Sequence, residues 1–403
     1  MLPERMRIAF VGGFAFSPKG TIQARAYPLA TELVSLGHEV TIFLTPYDNP
    51  GDSGRVWAAS GVRISNLKTG STALSYPRLL ARLWRALEDY RPELIHIFKP
   101  KGFSGAVGSY HVLKGDRALV VDCDDWEGWG GWNDVKPYPW VLKEFIDRQE
   151  RWLMRRASAL TVASRALRLR VVEVRGNSDG VYYVPNGISS TASWSMDDDI
   201  RKQSPAEIRR KFDLPAGPII LYSGHFEAAE DAIFFCKAAV GAAEKNAATL
   251  VFVGEGPDKT RVREFFAQRQ TARVRFLPRL GHAQFLQIVH ASDIAAFPYP
   301  NDPVHRSKCS ARVIDYMRMG KAVITSAVGQ NLEYLQDNSS GLLIRPNDEK
   351  AFSEGLDLLL RSPKLRLRLG NAARKRIERV FNWSGEPLKQ CLAAYQQARR
   401  YAA

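Results

Sequence analysis

Short apolar runs of strand length alternate with longer amphipathic stretches along this sequence, and after a polar break the alternation starts again. In the first series the runs at 8–11, 40–44, 62–64, 94–98, 119–123, 159–163 and 181–184 read as strands, with helical periodicity at 21–36, 79–90 and 145–156. In the second the strands fall at 219–223, 250–253, 274–277, 294–297, 322–325 and 342–344. The helices fall at 231–243, 261–268, 283–290, 312–319, 348–360 and 363–380. Alternation of this kind predicts a parallel sheet covered by helices, because each crossover returns the chain to the same sheet edge. Two series predict an α/β chain of two Rossmann-like domains facing each other. Ligands then belong at the carboxyl ends of the strands, in a cleft between the two sheets. Pro185-Asn186-Gly187-Ile188 is a turn signal, and 189–204, rich in Ser, Asp and Lys without an apolar period, reads as the linker.

A chain of 403 residues with 45% hydrophobic and 25% charged content can bury a core in each half. It has no apolar run long enough for a membrane helix, and the run at 8–11 is too short for a signal-peptide core, so a cytoplasmic location is expected. Cys123, Cys236, Cys309 and Cys391 are scattered without ligand-like spacing, which argues against a zinc site or a disulfide framework. The net charge is +15, with basic residues grouped at Arg78, Arg82, Arg85 and Arg91, at 148–156, and at Arg165, Arg168, Arg170 and Arg175. Each group alone reads as a solvated helix face. Together they lead us to expect contact with an anionic acceptor, or peripheral contact with an anionic membrane at its inner face. No helix-turn-helix, zinc-finger or RNP-type pattern is present, so nucleic acid is not an expected partner.

Three places carry residues suited to chemistry. Gly12-Gly13, with Gly20 ahead of the first helix, permits close approach to the backbone, which suits an anion or a sugar hydroxyl as well as a plain tight turn. Arg306, Ser307, Lys308, Cys309 and Ser310 lead into a helix that carries Arg312 and places Asp315 in its first turn. A helix start with such cations suits a diphosphate, and a nearby carboxylate can take both ribose hydroxyls. Asp315 as a simple complement to the helix dipole is the other reading. The loop at 122–134 holds Trp126, Trp129 and Trp132 among carboxylates just past a strand end; indole faces stack on sugar rings, or simply cap the core. Asp122 and Asp124 mimic an Asp-x-Asp metal motif, but no metal is expected. Lys99 and His96 end another strand, His96 reading as a buried, hydrogen-bonded histidine.

The run Arg312-Val-Ile-Asp-Tyr-Met-Arg-Met-Gly320-Lys-Ala-Val-Ile-Thr325-Ser resembles the donor-binding segment of family-four glycosyltransferases of the GT-B fold. So do Pro185-Asn-Gly-Ile188, Val253-Gly-Glu-Gly-Pro257, Ala291-Ser-Asp293, Gly329-Gln-Asn-Leu-Glu333, Gly341-Leu-Leu-Ile-Arg-Pro346, Gly37-His-Glu-Val40, Leu94-Ile-His-Ile97 and the terminal Phe381-Asn-Trp383. The resemblance implies an acceptor-binding domain at 1–188, a nucleotide-sugar domain at 189–380, and a C-terminal helix at 381–403 returning to the first. It implies a retaining, metal-independent transferase with a nucleotide-sugar donor, no further cofactor, and a carbohydrate, lipid-linked or small-molecule acceptor. Carried over position by position, it makes Asp124 and His225 catalytic. Gly13, Gly224, Glu255, Lys308, Ser310, Ala311, Arg312 and Asp315 fall on the donor. Gly20, Lys99, Asp125, Trp126 and Trp129 fall on the acceptor.

The chain departs from the family where His225 and Glu230 replace an Arg and a Lys that hold the leaving diphosphate, where Ser307 replaces an acidic residue, and where Asp124 replaces a histidine. In this divergent branch Lys308, Arg312 and Arg306 are expected to supply the phosphate charge. A non-catalytic GT-B module that binds glycan or serves as a partner subunit is the alternative, and an epimerase of the same architecture a third.

Overall fold

The computed structural model describes residues 5–17, 20–70, 75–189, 193–224, 226, 229–269 and 273–402. The chain forms two compact units. The first is Met1–Gly187 with Arg306–Cys309 and Trp383–Ala403, the second Ile188–His305 with Ser310–Asn382.

The first unit is built on eight strands: β1 (Arg7–Gly12), β2 (Glu39–Leu44), β3 (Val56–Ala59), β4 (Val62–Asn66), β5 (Leu94–Phe98), β6 (Ala118–Cys123), β7 (Ala159–Val162) and β8 (Val181–Tyr183). Their order is β3-β4-β2-β1-β5-β6-β7-β8, parallel except for the hairpin of β3 on β4. Ile8, Ala9, Phe10 and Val11 are all buried because the sheet is covered on both faces. Ile8 and Phe10 join one apolar cluster, Ala9 and Val11 the other. The terminal helix Glu386–Tyr401 lies on the first of these faces, burying Leu388, Cys391, Ala394, Tyr395 and Ala398 at helical spacing.

The second unit holds β9 (Ile219–Ser223), β10 (Thr249–Val253), β11 (Arg273–Leu277), β12 (Ile294–Phe297), β13 (Ala322–Ser326) and β14 (Leu342–Ile344). Here the order is β11-β10-β9-β12-β13-β14, all parallel. The strand order changes direction between β1 and β5 in the first sheet and between β9 and β12 in the second, the position at whose carboxyl ends open α/β sheets generally bind ligands.

Four local expectations need correction. The expected linker contains a helix, Ser193–Lys202, held by buried Ile200 and by Asp197, which is ion-paired to Arg318. The helix expected over 21–36 begins as a wide turn, Ile22–Ala26, and becomes regular over Tyr27–Ser35. Helix Gly102–Lys114 and edge strand β3 have no counterpart in the sequence reading. Asp315 sits in the second turn of its helix, Ala311–Arg318, not the first.

Candidate functional site

In the second unit, the helix Ala311–Arg318 starts just beyond β12, with extended Ser310 as its N-cap. The cap makes no side-chain bond to the helix, and the buried Ser310 hydroxyl has no hydrogen-bond partner among the described residues. The first-turn amides have no intrahelical acceptor. Arg312 lies half-buried over the Phe297 ring, 5.7 Å from its centre, with no ion-pair or hydrogen-bond partner among the described residues. One turn on, Asp315 Oδ1 accepts from His282 Nε2 at 3.1 Å and lies 3.5 Å from Arg318 Nη1. Burial would raise the Asp315 carboxyl, but His282 and Arg318 outweigh it and hold it below the usual range; Asp315 in turn raises His282. Arg318 is fixed from behind by Asp197, through bonds of 2.7 and 2.6 Å. Below, buried Tyr316 meets the Ser223 hydroxyl at 2.7 Å, tying this helix to the end of β9.

The turns after β9 and β10 pack backbone against backbone. Gly224 N donates to Val253 O, Phe226 N to Glu255 O, and Asp258 N to Phe226 O. A Cβ on Gly254, whose φ is +138°, would stand 2.0 Å from Gly224 O. Buried Lys259 closes the corner by donating to Gly254 O, Leu277 O and Glu255 Oε1 at 2.8, 3.2 and 2.9 Å. Gly254→Ala is therefore expected to cost about 3 kcal/mol or more through backbone strain and overlap. A drop in the thermal unfolding midpoint of the full chain checks this; an unchanged midpoint contradicts it.

In the first unit, Gly13 faces Ser104, and a Cβ there would lie 3.1 Å from the Ser104 hydroxyl. Gly20 opens its helix in free space. Lys99, just after β5, holds a left-handed backbone (φ +63°) and sends its ammonium to Asp125 Oδ2 and Glu127 Oε1, both at 2.7 Å. Asp124 Oδ2 accepts from Thr21 at 2.7 Å. Asp124 Oδ1 is ion-paired to Lys99 at 3.2 Å, but this buried oxygen accepts no hydrogen bond among the described residues. Burial alone would lower Lys99, but Asp124, Asp125 and Glu127 hold it well above the ordinary lysine value. Glu127 goes down to about 2, its own burial outweighed by Lys101 and Lys99. Asp122 joins no cation cradle: both its oxygens are taken by Arg25, at 2.7 and 2.6 Å. His96 is buried between Tyr395 and Thr161.

The tryptophan loop hangs from helix Trp140–Arg156. Trp129 N donates to Asp147, Trp129 Nε1 to Glu144, and the amides of Glu127 and Gly128 to Glu150. Trp126 is 2% exposed, packed in the core with Arg151 and Arg170 over its ring, so its indole offers no open face. Trp129 and Trp132 stay half-buried. Lys308 lies with the first unit, its ammonium 5.6 Å from the centre of the Trp132 ring.

Burial and the neighbouring Glu127 carboxylate push Glu150 up to about 8, against its two backbone donors. The folded carboxyl thus keeps its proton where the unfolded one, near 4.5, has lost it. Its stabilising contribution is complete below that lower value and disappears as pH rises through 8. Glu150→Gln, which never ionises, should remove this part of the slope when unfolding free energy is measured between pH 5 and 9. An identical slope in the variant contradicts the assignment.

Two family models divide the chain: the glycosyl transferase 4-like domain matches residues 20–187 and glycosyl transferases group 1 matches residues 205–376. The chain belongs to the family-four-like glycosyltransferases. A glycogen synthase of Mycobacterium tuberculosis is 24% identical over 251 residues, 60% of this glycosyltransferase and 56% of the synthase, so the match spans just over half of that relative. Sucrose-phosphate synthase from Thermosynechococcus elongatus shares the fold with a TM-score of 0.76 at 20% identity, covering 97% of this chain and 99% of its own. An Anabaena protein, HepE, solved in complex with UDP-glucose, gives 0.71 at 15% identity, covering 96% and 99%.

Within this glycosyltransferase the structure brings Ser310, Ala311, Arg312 and Asp315 together on one helix start, and Gly224 with Glu255 on the neighbouring turns. Lys99, Asp124 and Asp125 meet in the first unit. His225 lies outside the described residues, as does the side chain of Glu230. Sequence reading missed His282, Lys259, Arg25 and Glu150. Only Lys259, four residues after Glu255 beside a glycine turn, left a local signal.

Proposed function

We propose that this glycosyltransferase moves a sugar from a nucleotide-sugar donor to an acceptor hydroxyl on a glycan, a glycolipid or a secondary metabolite, with retention of configuration and without a metal. The observation that carries the reading is the start of helix Ala311–Arg318. Its first-turn amides and Arg312, without hydrogen-bond or ion-pair partners among the described residues, and the constrained Asp315 carboxylate offer complementary groups to a diphosphate and a ribose. The UDP-glucose complex of the Anabaena relative supports a nucleotide-sugar donor.

In the proposed reaction the bond from the anomeric carbon to the diphosphate oxygen breaks, and a bond to the acceptor oxygen forms on the same face. The acceptor's proton passes to the departing phosphate. The protein's part is to place the two substrates and to stabilise charge growing on the leaving oxygen. Asp124 Oδ1, which is ion-paired to Lys99 but accepts no hydrogen bond among the described residues, is the group we assign to an acceptor-side hydroxyl, with Lys99 fixing the carboxylates around it.

The test is a thermal-shift panel of nucleoside diphosphates and nucleotide sugars, followed by a turnover assay with the best stabiliser, since a ligand of the native state raises its melting temperature. At least one nucleotide sugar should stabilise wild type. Arg312→Met should weaken that ligand about tenfold to a hundredfold by removing a charge-assisted contact. If no nucleotide or nucleotide sugar shifts the melt, the reading fails.

A further inference from the structure

One stretch of the first unit exposes apolar side chains in a way the reaction does not use. Val135, Trp140, Val141, Leu142 and Phe145 are between 42% and 73% exposed, all within eleven residues. Elsewhere large exposed apolar residues such as Leu169, Leu332 and Leu367 stand singly, as on any soluble surface. Helix Trp140–Arg156 has no acidic residue in its first turn, where the helix dipole would favour one; it carries Trp-Val-Leu-Lys instead. Its later turns anchor it, burying Ile146, Leu153 and Met154.

The surroundings extend the patch and give it a sign. Helix Gly102–Lys114, which carries Phe103, packs against this helix: a Cβ on Gly105 would stand 2.5 Å from the Gln149 side chain. Tyr47 neighbours Tyr76 and Phe103, the last two stacked 5.8 Å apart, and both tyrosines are exposed. Tyr76 begins helix Ser75–Tyr90, and from there Arg78, Arg82 and Arg85 follow at four- and three-residue steps, one exposed stripe opposite buried Leu79, Leu83 and Leu87. Lys136 and Lys143 sit over the Trp132 and Trp129 rings at the other border. Aromatic residues that bridge apolar and wet surroundings, fringed by arginines and lysines, match the interface of an anionic bilayer. The chain's charge of +15 adds long-range attraction of the same sign.

We propose that the first turns of helix Trp140–Arg156, with the Tyr47–Tyr76–Phe103 cluster, dock on an anionic lipid surface, and that the Arg78–Arg82–Arg85 stripe supplies the charge. The same helix holds the tryptophan loop through Glu144, Asp147 and Glu150, so docking brings that loop to the headgroup layer.

The test is co-sedimentation of the full chain with vesicles of phosphatidylcholine alone and of phosphatidylcholine mixed with phosphatidylglycerol. Wild type should partition onto the mixed vesicles and not onto the neutral ones, and salt should release it. Trp140→Ser with Phe145→Ser should lower partition about tenfold or more. Arg78→Gln with Arg82→Gln and Arg85→Gln should lower it about a hundredfold and flatten the salt dependence. The wild-type comparison needs no variant, so a misfolded variant does not shield the idea. No wild-type binding to either vesicle overturns it. So does undiminished binding of the Trp140/Phe145 variant, or a dimer that the same variant breaks while lipid binding persists.

Discussion

Asp315→Ala is expected to abolish measurable transfer and to weaken the nucleotide donor about 30-fold to 150-fold, the loss of roughly 2–3 kcal/mol of hydrogen bonding to a charged group. The fold should survive. His282, Asp315's partner, keeps 53% of its side chain exposed and regains water when the carboxylate goes. Arg318 keeps its two bonds to Asp197. With Asp315 removed, the His282 imidazole loses the charge that raises it, and its titration, followed by NMR, should fall back toward the ordinary histidine range. Isothermal titration with the stabilising nucleotide sugar reads the first effect. Donor affinity unchanged in Asp315→Ala would remove this carboxylate from the site.

Arg25→Met should produce the largest loss of stability, about 3–5 kcal/mol. Arg25 and Asp122 are each 1% exposed at their side chains and joined through two hydrogen bonds. Arg25 also donates to Val184 O at 2.6 Å and Asn186 Oδ1 at 3.0 Å, so one guanidinium ties three chain segments at the carboxyl ends of β6 and β8. Its removal strands a carboxylate in the core with one hydroxyl donor, Thr161, at 2.5 Å. For a unit of this size the melting midpoint should fall by roughly 6–20 °C. Pairing Arg25→Met with Asp122→Leu should recover part of the loss, because the buried charge goes with its partner. A double variant less stable than Arg25→Met alone would contradict a charge-based account.

Much of this architecture was legible in the sequence because parallel strands covered on both faces must be continuously apolar. The runs at 8–11, 119–121 and 250–253 say so without help. Helix Gly102–Lys114 was not legible. Its glycines interrupt the helical pattern, yet Gly105 and Gly108 are what let it close on its neighbours, where a Cβ would stand 2.5 Å from Gln149 and Ile97 and 3.2 Å from Leu153. The helix in the expected linker escaped for a related reason: part of its buried face is Asp197, an acidic residue made tolerable by Arg318, 121 positions along the chain. At the site, residues adjacent in sequence, such as Ser310 to Asp315, could be picked out together. His282 could not, since its partner is 33 residues away and nothing local marks it. Trp126 shows the converse: composition suggested a sugar platform, while packing placed the ring in the core.

The helix start at Ser310–Arg312 is the proposed seat of the donor's diphosphate. Amide hydrogen exchange of the full chain, with and without the nucleotide sugar that stabilises it most, tests this at residue level. The first-turn amides of 311–313, which have no intrahelical acceptor, should slow markedly on binding, together with those of Gly224, Phe226 and 254–256. Binding that leaves those amides exchanging at their free rate, with protection confined to the first unit, would contradict it.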